Sequence, residues 1–297
     1  MATPIIIPER TGRGLLLVAA AAITWSTGGL IVRLLDDHDP WRTIFWRSLF
    51  AALFLIGYVA ASEKRATINV FRSIGRPGLL LGLYFAIASV TFIIALGLTS
   101  VANTLVIIST APLFAALLSR RLLGDVIRPR TWVAILASVA GVALMVGDSL
   151  GESSLLGNLV ALVIPLLFAL GTVVIRRQRH MRMTPALAVS PVIALLVATP
   201  LVPTFGISGH DLALLAFFGA GQLGLGMVLF SIGARMAPPA KAALVSLLET
   251  VVGPFWVWLV VGEMPGVGAL LGGVIVLGAM ALHTAFDLRR PLPPPVA

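Results

Sequence analysis

The sequence contains no cysteine, which excludes disulfides and thiolate metal sites. Charge is scarce. Only 11% of the residues are Asp, Glu, Lys or Arg, less than half the share of a soluble domain. Acids are scarcer than bases, 12 against 21, which leaves a net charge of +9. No HExxH, GxSxG or phosphate-binding GxxxxGK[ST] pattern occurs. Their absence argues against a zinc hydrolase, a nucleophile elbow and direct ATP drive within this chain. The histidines, His38, His180, His210 and His283, show no metal-ligand spacing, so neither a metal nor a cofactor is expected. Period-2 alternation is missing as well, which argues against a membrane β-barrel.

What remains is apolar. Hydrophobic residues make up 59% of the chain, and the mean hydropathy is +1.04. Water could not solvate such a surface, and the polar gaps are too short to hold a soluble domain. The expectation is an all-α polytopic membrane protein, because backbone groups in lipid must be satisfied internally. Apolar runs long enough for a bilayer fall at about 14–35, 42–61, 78–98, 101–119, 131–147, 155–175, 184–203, 212–234, 240–261 and 266–286. The first is too long for a signal-peptide core and reads as a retained anchor.

The basic residues test that register. The N-terminus carries Arg10 and Arg13. Lys64, Arg65, Arg72 and Arg76 lie between spans two and three; Arg120, Arg121, Arg128 and Arg130 between four and five; Arg176, Arg177, Arg179 and Arg182 between six and seven. Arg235 and Lys241 lie between eight and nine, and Arg289 and Arg290 follow span ten. With ten spans these 18 of the 21 bases share one side. The other loops hold Asp36, Asp37, Asp39, Asp148, Glu152, Asp211 and Glu263. The positive-inside rule then places both termini in the cytoplasm. It also explains the net charge better than nucleic-acid binding does, so no nucleic-acid partner is expected.

Five spans precede Gly147 and five follow Leu155, and an odd number forces an equivalent second half upside down. A shift of 138 residues aligns Phe92 with Phe230, Ala102 with Ala240, Gly124 with Gly262 and Asp125 with Glu263. The expected organisation is a cytoplasmic tail at 1–13, a first five-helix repeat at 14–150, an inverted second repeat at 151–286 and a Pro-rich tail at 287–297. Inverted repeats are typical of secondary transporters, whose sites lie near the midplane where the halves meet.

The stretch ALGLTSVANTLVIISTAPLFAALLSRRLLGD resembles the repeat unit of EamA-type permeases of the drug/metabolite transporter superfamily. GARMAPPAKAALVSLLETVVGPFWVWLVVGE resembles its second copy, and WSTGGLIVRLL with DPWRTIFWRSLFAALFL resembles the first two spans. The resemblance implies a ten-helix bundle that exports small organic metabolites. Asp125 stands where Glu is commoner after Gly124. Thr250 replaces the Pro that usually follows the Leu-Leu-Glu run, with Pro254 four residues on.

Glu249 lies roughly 12 Å into span nine at about 1.5 Å per residue. A charge there is costly unless partnered. It is either a cavity wall group that meets a substrate amine or proton, or a protonated Glu bonded to another helix. Arg47 either snorkels to the headgroups or turns inward to clamp a carboxylate. Trp25 and Ser26, before Gly28 and Gly29, sit mid-span in helix one and either line a cavity or pack. Tyr84, Ser89, Thr110 and Gln222 are further polar groups at membrane depth. The 138 shift pairs Tyr84 with Gln222, facing each other across the pseudo-axis. Asn103 fits a helix cap. Pro112, Pro165, Pro191 and Pro254 are expected to interrupt spans four, six, seven and nine. Pro112 and the Gly253–Pro254 pair are the candidate hinges. Interfacial anchoring accounts for Trp256 and Trp258. Gly78/Gly82 and Gly268/Gly272 form GxxxG pairs that pack helices within the fold.

The reading is a secondary transporter, not an enzyme, in the cell inner membrane. It exports small metabolites, amino acids first, by alternating access, as a monomer or weak homodimer whose other partner is the lipid bilayer. Drug, quaternary-amine, purine or nucleotide-sugar cargo is the alternative within the class, and an intramembrane enzyme the rival outside it.

Overall fold

The computed structural model describes residues 8–99, 104, 107–145, 155–178, 183–262 and 267–288. All described secondary structure is helical. In chain order the helices are α1 (Pro8–Trp25), α2 (Gly28–Leu34), α3 (Pro40–Glu63), α4 (Thr67–Ser73), α5 (Gly75–Leu98), α6 (Ala111–Leu123) and α7 (Pro129–Met145). They continue with α8 (Leu155–Arg177), α9 (Thr184–Ala198), α10 (Gly209–Ala216), α11 (Leu225–Ala234), α12 (Pro239–Ser246), α13 (Leu248–Val261) and α14 (Val267–Leu288). A π-helical segment, Phe217–Gly224, joins α10 to α11.

Among the described residues, seven helical stretches are long and apolar enough to cross a membrane, and Pro129–Leu144 and Leu270–His283 are shorter apolar helices. The expected fourth span falls partly outside the described residues, as does Asn103. Local signals explain the starts. Asp39 caps α3 by accepting from the Arg42 amide at 2.7 Å, with Pro40 next in line, and Ser208 caps α10 through the Asp211 amide. Both supply an oxygen to an otherwise unpaired first-turn N–H.

Three of the four interruptions expected at prolines are not found among the described residues. α8, α9 and α13 run through Pro165, Pro191 and Pro254 as continuous helices. Pro112 occupies the first turn of α6, where its missing N–H costs nothing. A proline removes one ladder bond, and packed neighbours can hold the helix through that loss. One break lies directly before Pro112, at Ser109–Thr110, and the others lie away from proline, at Ser26–Thr27 and at Leu247.

Opposite ends of the chain meet at two polar faces. Arg42, at the start of α3, donates to Thr204 beyond the end of α9, so these helices run antiparallel. Thr131 at the start of α7 meets His283 near the end of α14 at 3.0 Å, which makes that pair antiparallel too. α3 packs on α9, α6 on α12 and α7 on α14. α1 packs on α11 as α8 packs on α5. The glycine pairs work within the chain: Gly78 and Gly82 of α5 lie against Ala186 of α9, and Gly272 of α14 lies against Gly141 of α7.

Candidate functional site in the bundle interior

The first span opens where Ser26 and Thr27 turn their hydroxyls back onto the carbonyls of Ile23 and Thr24, at 2.6 and 2.9 Å. Such side-chain bonds compete with the helix ladder, and Gly28 and Gly29 follow at once. The break leaves polar groups for other elements to meet. Gln222, in the π segment, donates to the Trp25 carbonyl at 2.8 Å. Trp256 of α13 donates its indole N–H to the Ser26 hydroxyl, also at 2.8 Å.

Those contacts orient α13. Glu249, Gly253 and Trp256 share one helical face at spacings of four and seven. Gly253 lies against the Ser26 carbonyl, so the face that carries Glu249 turns toward the break. Glu249 is densely surrounded by protein, yet it is half-buried and not sealed off.

Arg47 comes to the same region from α3. It is 7% exposed. Its guanidinium lies 4.4 Å over the Phe218 ring, and Nη1 donates to the Ser89 hydroxyl at 3.3 Å. Of the two directions open to it, inward is the one taken. Close backbone approach makes this possible: a Cβ on Gly219 would stand 2.3 Å from the Arg47 carbonyl oxygen. Arg47 and Glu249 feel each other electrostatically, but no ion pair within 4.0 Å joins them among the described residues. The two side chains thus lie close enough to interact without touching.

An aromatic group backs the break. Trp25 packs on Phe230 at 5.3 Å and on Phe168 at 6.4 Å, and Phe85 completes the set at 6.0 Å from Phe168. A Cβ on Gly226 would fall 2.0 Å from the Trp25 indole nitrogen. Trp25 Nε1, Gln222 Oε1 and Arg47 Nε are buried without a hydrogen-bond partner. Orphaned polar atoms are rare in a packed interior, and three of them mark this region.

The structure therefore gathers Trp25, Ser26, Arg47, Ser89, Gln222 and Glu249. Tyr84 and Thr110 stand apart. Tyr84 is half-buried and makes no hydrogen bond to Gln222, whose amide goes to Trp25 instead. Thr110 bonds the Ile107 carbonyl within its own turn. Trp256 corrects the anchoring expectation: it is tied to Ser26, while Trp258 is exposed on the outside. The signal was available in its seven-residue spacing from Glu249. Phe218, which carries the Arg47 guanidinium, gave no such signal.

At one polar face, Asp36, His210 and Asp211 bring potential ligand atoms within 4.8 Å of one another. Asp211 already accepts from the amides of Asp36 and Asp37, and His210 bonds the Leu34 carbonyl. Together they latch the first span to the eighth. Arg42, paired with Asp37, extends the latch to Thr204.

The EamA-like transporter family model matches residues 12–147 and again residues 155–285. The chain belongs to the EamA-like transporter family. It is a member of the drug/metabolite transporter superfamily, and its family consists of membrane transporters, not enzymes. A crystal structure described only as that of a protein matches with a TM-score of 0.79 over 93% of this chain and 99% of that one, at 18% identity. That likeness establishes the fold alone. No curated protein matches the chain.

Proposed function

We propose that this transporter is a secondary exporter of amino acids in the cell inner membrane. It works by alternating access, with ten spans arranged as two inverted five-helix repeats and both termini cytoplasmic. The antiparallel pairing of α3 with α9 and of α7 with α14 supports the inversion, because each pair joins equivalent spans. The observation that carries the cargo class is the untouched opposition of Arg47 and Glu249. A zwitterion fits it. A carboxylate accepts from the Arg47 fork, and an ammonium meets Glu249. Each of the two groups then gains a partner of opposite charge. Trp25 and the phenylalanines behind it favour an apolar side chain on the cargo.

The test is flux into proteoliposomes with labelled leucine, phenylalanine, an anionic nucleotide-sugar and a quaternary amine, with and without a pH gradient. Saturable amino-acid flux is expected. Flux of the amine with none of either amino acid would replace the zwitterion reading with cation transport.

A further inference from the structure

A cavity lies away from the central site, between the start of α5 and the end of α8. Its volume is about 330 Å³, and Arg76, Pro77, Leu80, Val174, Arg177 and Gln178 line it. These two helices pack along their length and run antiparallel, since Thr99 at the end of α5 bonds Asn158 near the start of α8. Their other ends therefore stop at one level, on the basic face.

The lining is sorted by depth. On α5 the charged Arg76 stands one turn above Leu80; on α8, Arg177 and Gln178 stand one turn above Val174. One turn is about 5.4 Å. Cationic and amide donors thus form a rim, and an apolar floor lies one turn deeper on both walls. Leu79 and Leu80 are 55% and 44% exposed, so this flank of α5 faces outward, where a membrane protein meets acyl chains. Arg76 and Arg177 are exposed and have no partner among the described residues. A solvated basic loop needs no cavity and no floor. An anionic headgroup with its chains attached needs both.

We propose that this cavity is a binding site for an anionic phospholipid, with the phosphate held between Arg76 and Arg177 and the acyl chains running down past Leu80 and Val174. Two guanidiniums give the fork geometry that phosphate oxygens accept. Gln178 adds a donor to a glycerol-type headgroup. The site is independent of the central one and stands whether or not the cargo is an amino acid.

The test uses the purified full-length chain in neutral detergent. Thermal unfolding is followed as phosphatidylglycerol, phosphatidylcholine or inorganic phosphate is added, and native mass spectrometry counts bound lipid. Phosphatidylglycerol is expected to raise Tm and to stay bound, with neither effect from phosphatidylcholine or from phosphate alone. In the Arg76→Gln/Arg177→Gln variant the apparent affinity for phosphatidylglycerol falls roughly 30-fold, since each base near an anionic membrane surface contributes comparably. Both side chains are exposed, so the lipid-free Tm is expected to hold. The variant Arg65→Gln/Arg72→Gln removes two bases from the same face outside the cavity and is expected to keep the affinity. An equal loss in that control, an undiminished response in the cavity variant, or an equal response to phosphatidylcholine or inorganic phosphate would each overturn the proposal.

Discussion

The two family repeats agree in one pair of spans and differ in another. The fourth span breaks at Ser109–Thr110 and the ninth at Leu247, and the 138-residue shift carries Ser109 onto Leu247. Both second segments, α6 and α13, end on a left-handed glycine, Gly124 at φ 72° and Gly262 at φ 77°, again 138 residues apart. Spans three and eight lack this likeness. α5 is an unbroken helix of 24 residues, whereas the eighth span winds into a π segment around Gln222. The first span is broken at Ser26, but the sixth, α8, is continuous for 23 residues. The common features sit on the fourth and ninth runs, whose segments α6 and α12 pack on each other. Departures cluster where Trp25, Gln222 and Arg47 meet. The likeness lies in the helix breaks and ends, and the departures lie where Trp25 and Arg47 of the first repeat meet Gln222 of the second.

The largest expected effect falls where those departures lie. Arg47→Gln should reduce amino-acid flux on the order of 100-fold, because it removes the buried one of the two charges that a zwitterion would meet. Glu249→Gln should reduce flux about tenfold while expression holds. Full flux in Glu249→Gln across pH would leave the ninth span a structural element only. Next comes packing. Gly226→Ala sets a methyl group against the Trp25 indole and should cost about 1–3 kcal/mol, read as a lower Tm. Gly278→Ala in α14, where nothing lies within 4 Å of the added carbon, should be neutral or stabilising. Equal losses at both would dissolve the contrast between the site helix and the peripheral one.

The symmetric pair gives a smaller and matched effect. Gly124→Ala and Gly262→Ala each force an L-residue into left-handed backbone, which costs about 1 kcal/mol. The two variants should lower Tm alike. Unequal losses would show that the equivalence of α6 and α13 stops at geometry.

The smallest effect concerns the two polar faces. Asp211 is buried but accepts two backbone amides. Asp125, in the loop after α6, has a buried Oδ2 without a partner, and burial pushes its carboxyl above the ordinary aspartate value while Arg176 pulls it down. A carboxyl raised in the folded state holds its proton more tightly folded than unfolded. Its contribution is therefore full below the ordinary value and is lost as pH climbs through the raised one. Asp125→Asn should raise Tm by about 2 °C at pH 8, and the gain should shrink toward pH 4. A gain that stays constant with pH would assign the effect to packing. Asp211→Asn should lower Tm at neutral pH.

Much of the frame was legible in the residues. Apolar runs located the long helices, seven of which among the described residues are long and apolar enough to cross a membrane, since a bilayer filters for length and hydrophobicity segment by segment. Gly124 and Gly262 announced equivalent helix ends. The site was legible only in part: Arg47, Gln222, Trp25, Ser26, Ser89 and Glu249 were named from their polarity at depth, but Tyr84 and Thr110 met the same criterion and stand apart. Depth ranks the cost of a polar group and says nothing of its direction. The helix breaks were sought at prolines, and two of the three lie where hydroxyl side chains form the turn.

Composition and order alone determined that this chain is a helical membrane protein with basic and acidic loops in alternation. Those properties are sums of local transfer free energies, which each segment carries wherever it sits. Tertiary structure decided that Trp256 reaches Ser26 across 230 residues, that Arg47 turns inward onto Phe218 and that Asp211 binds the end of the first span. Each of these depends on the distance between remote segments, and only the packed bundle sets those distances.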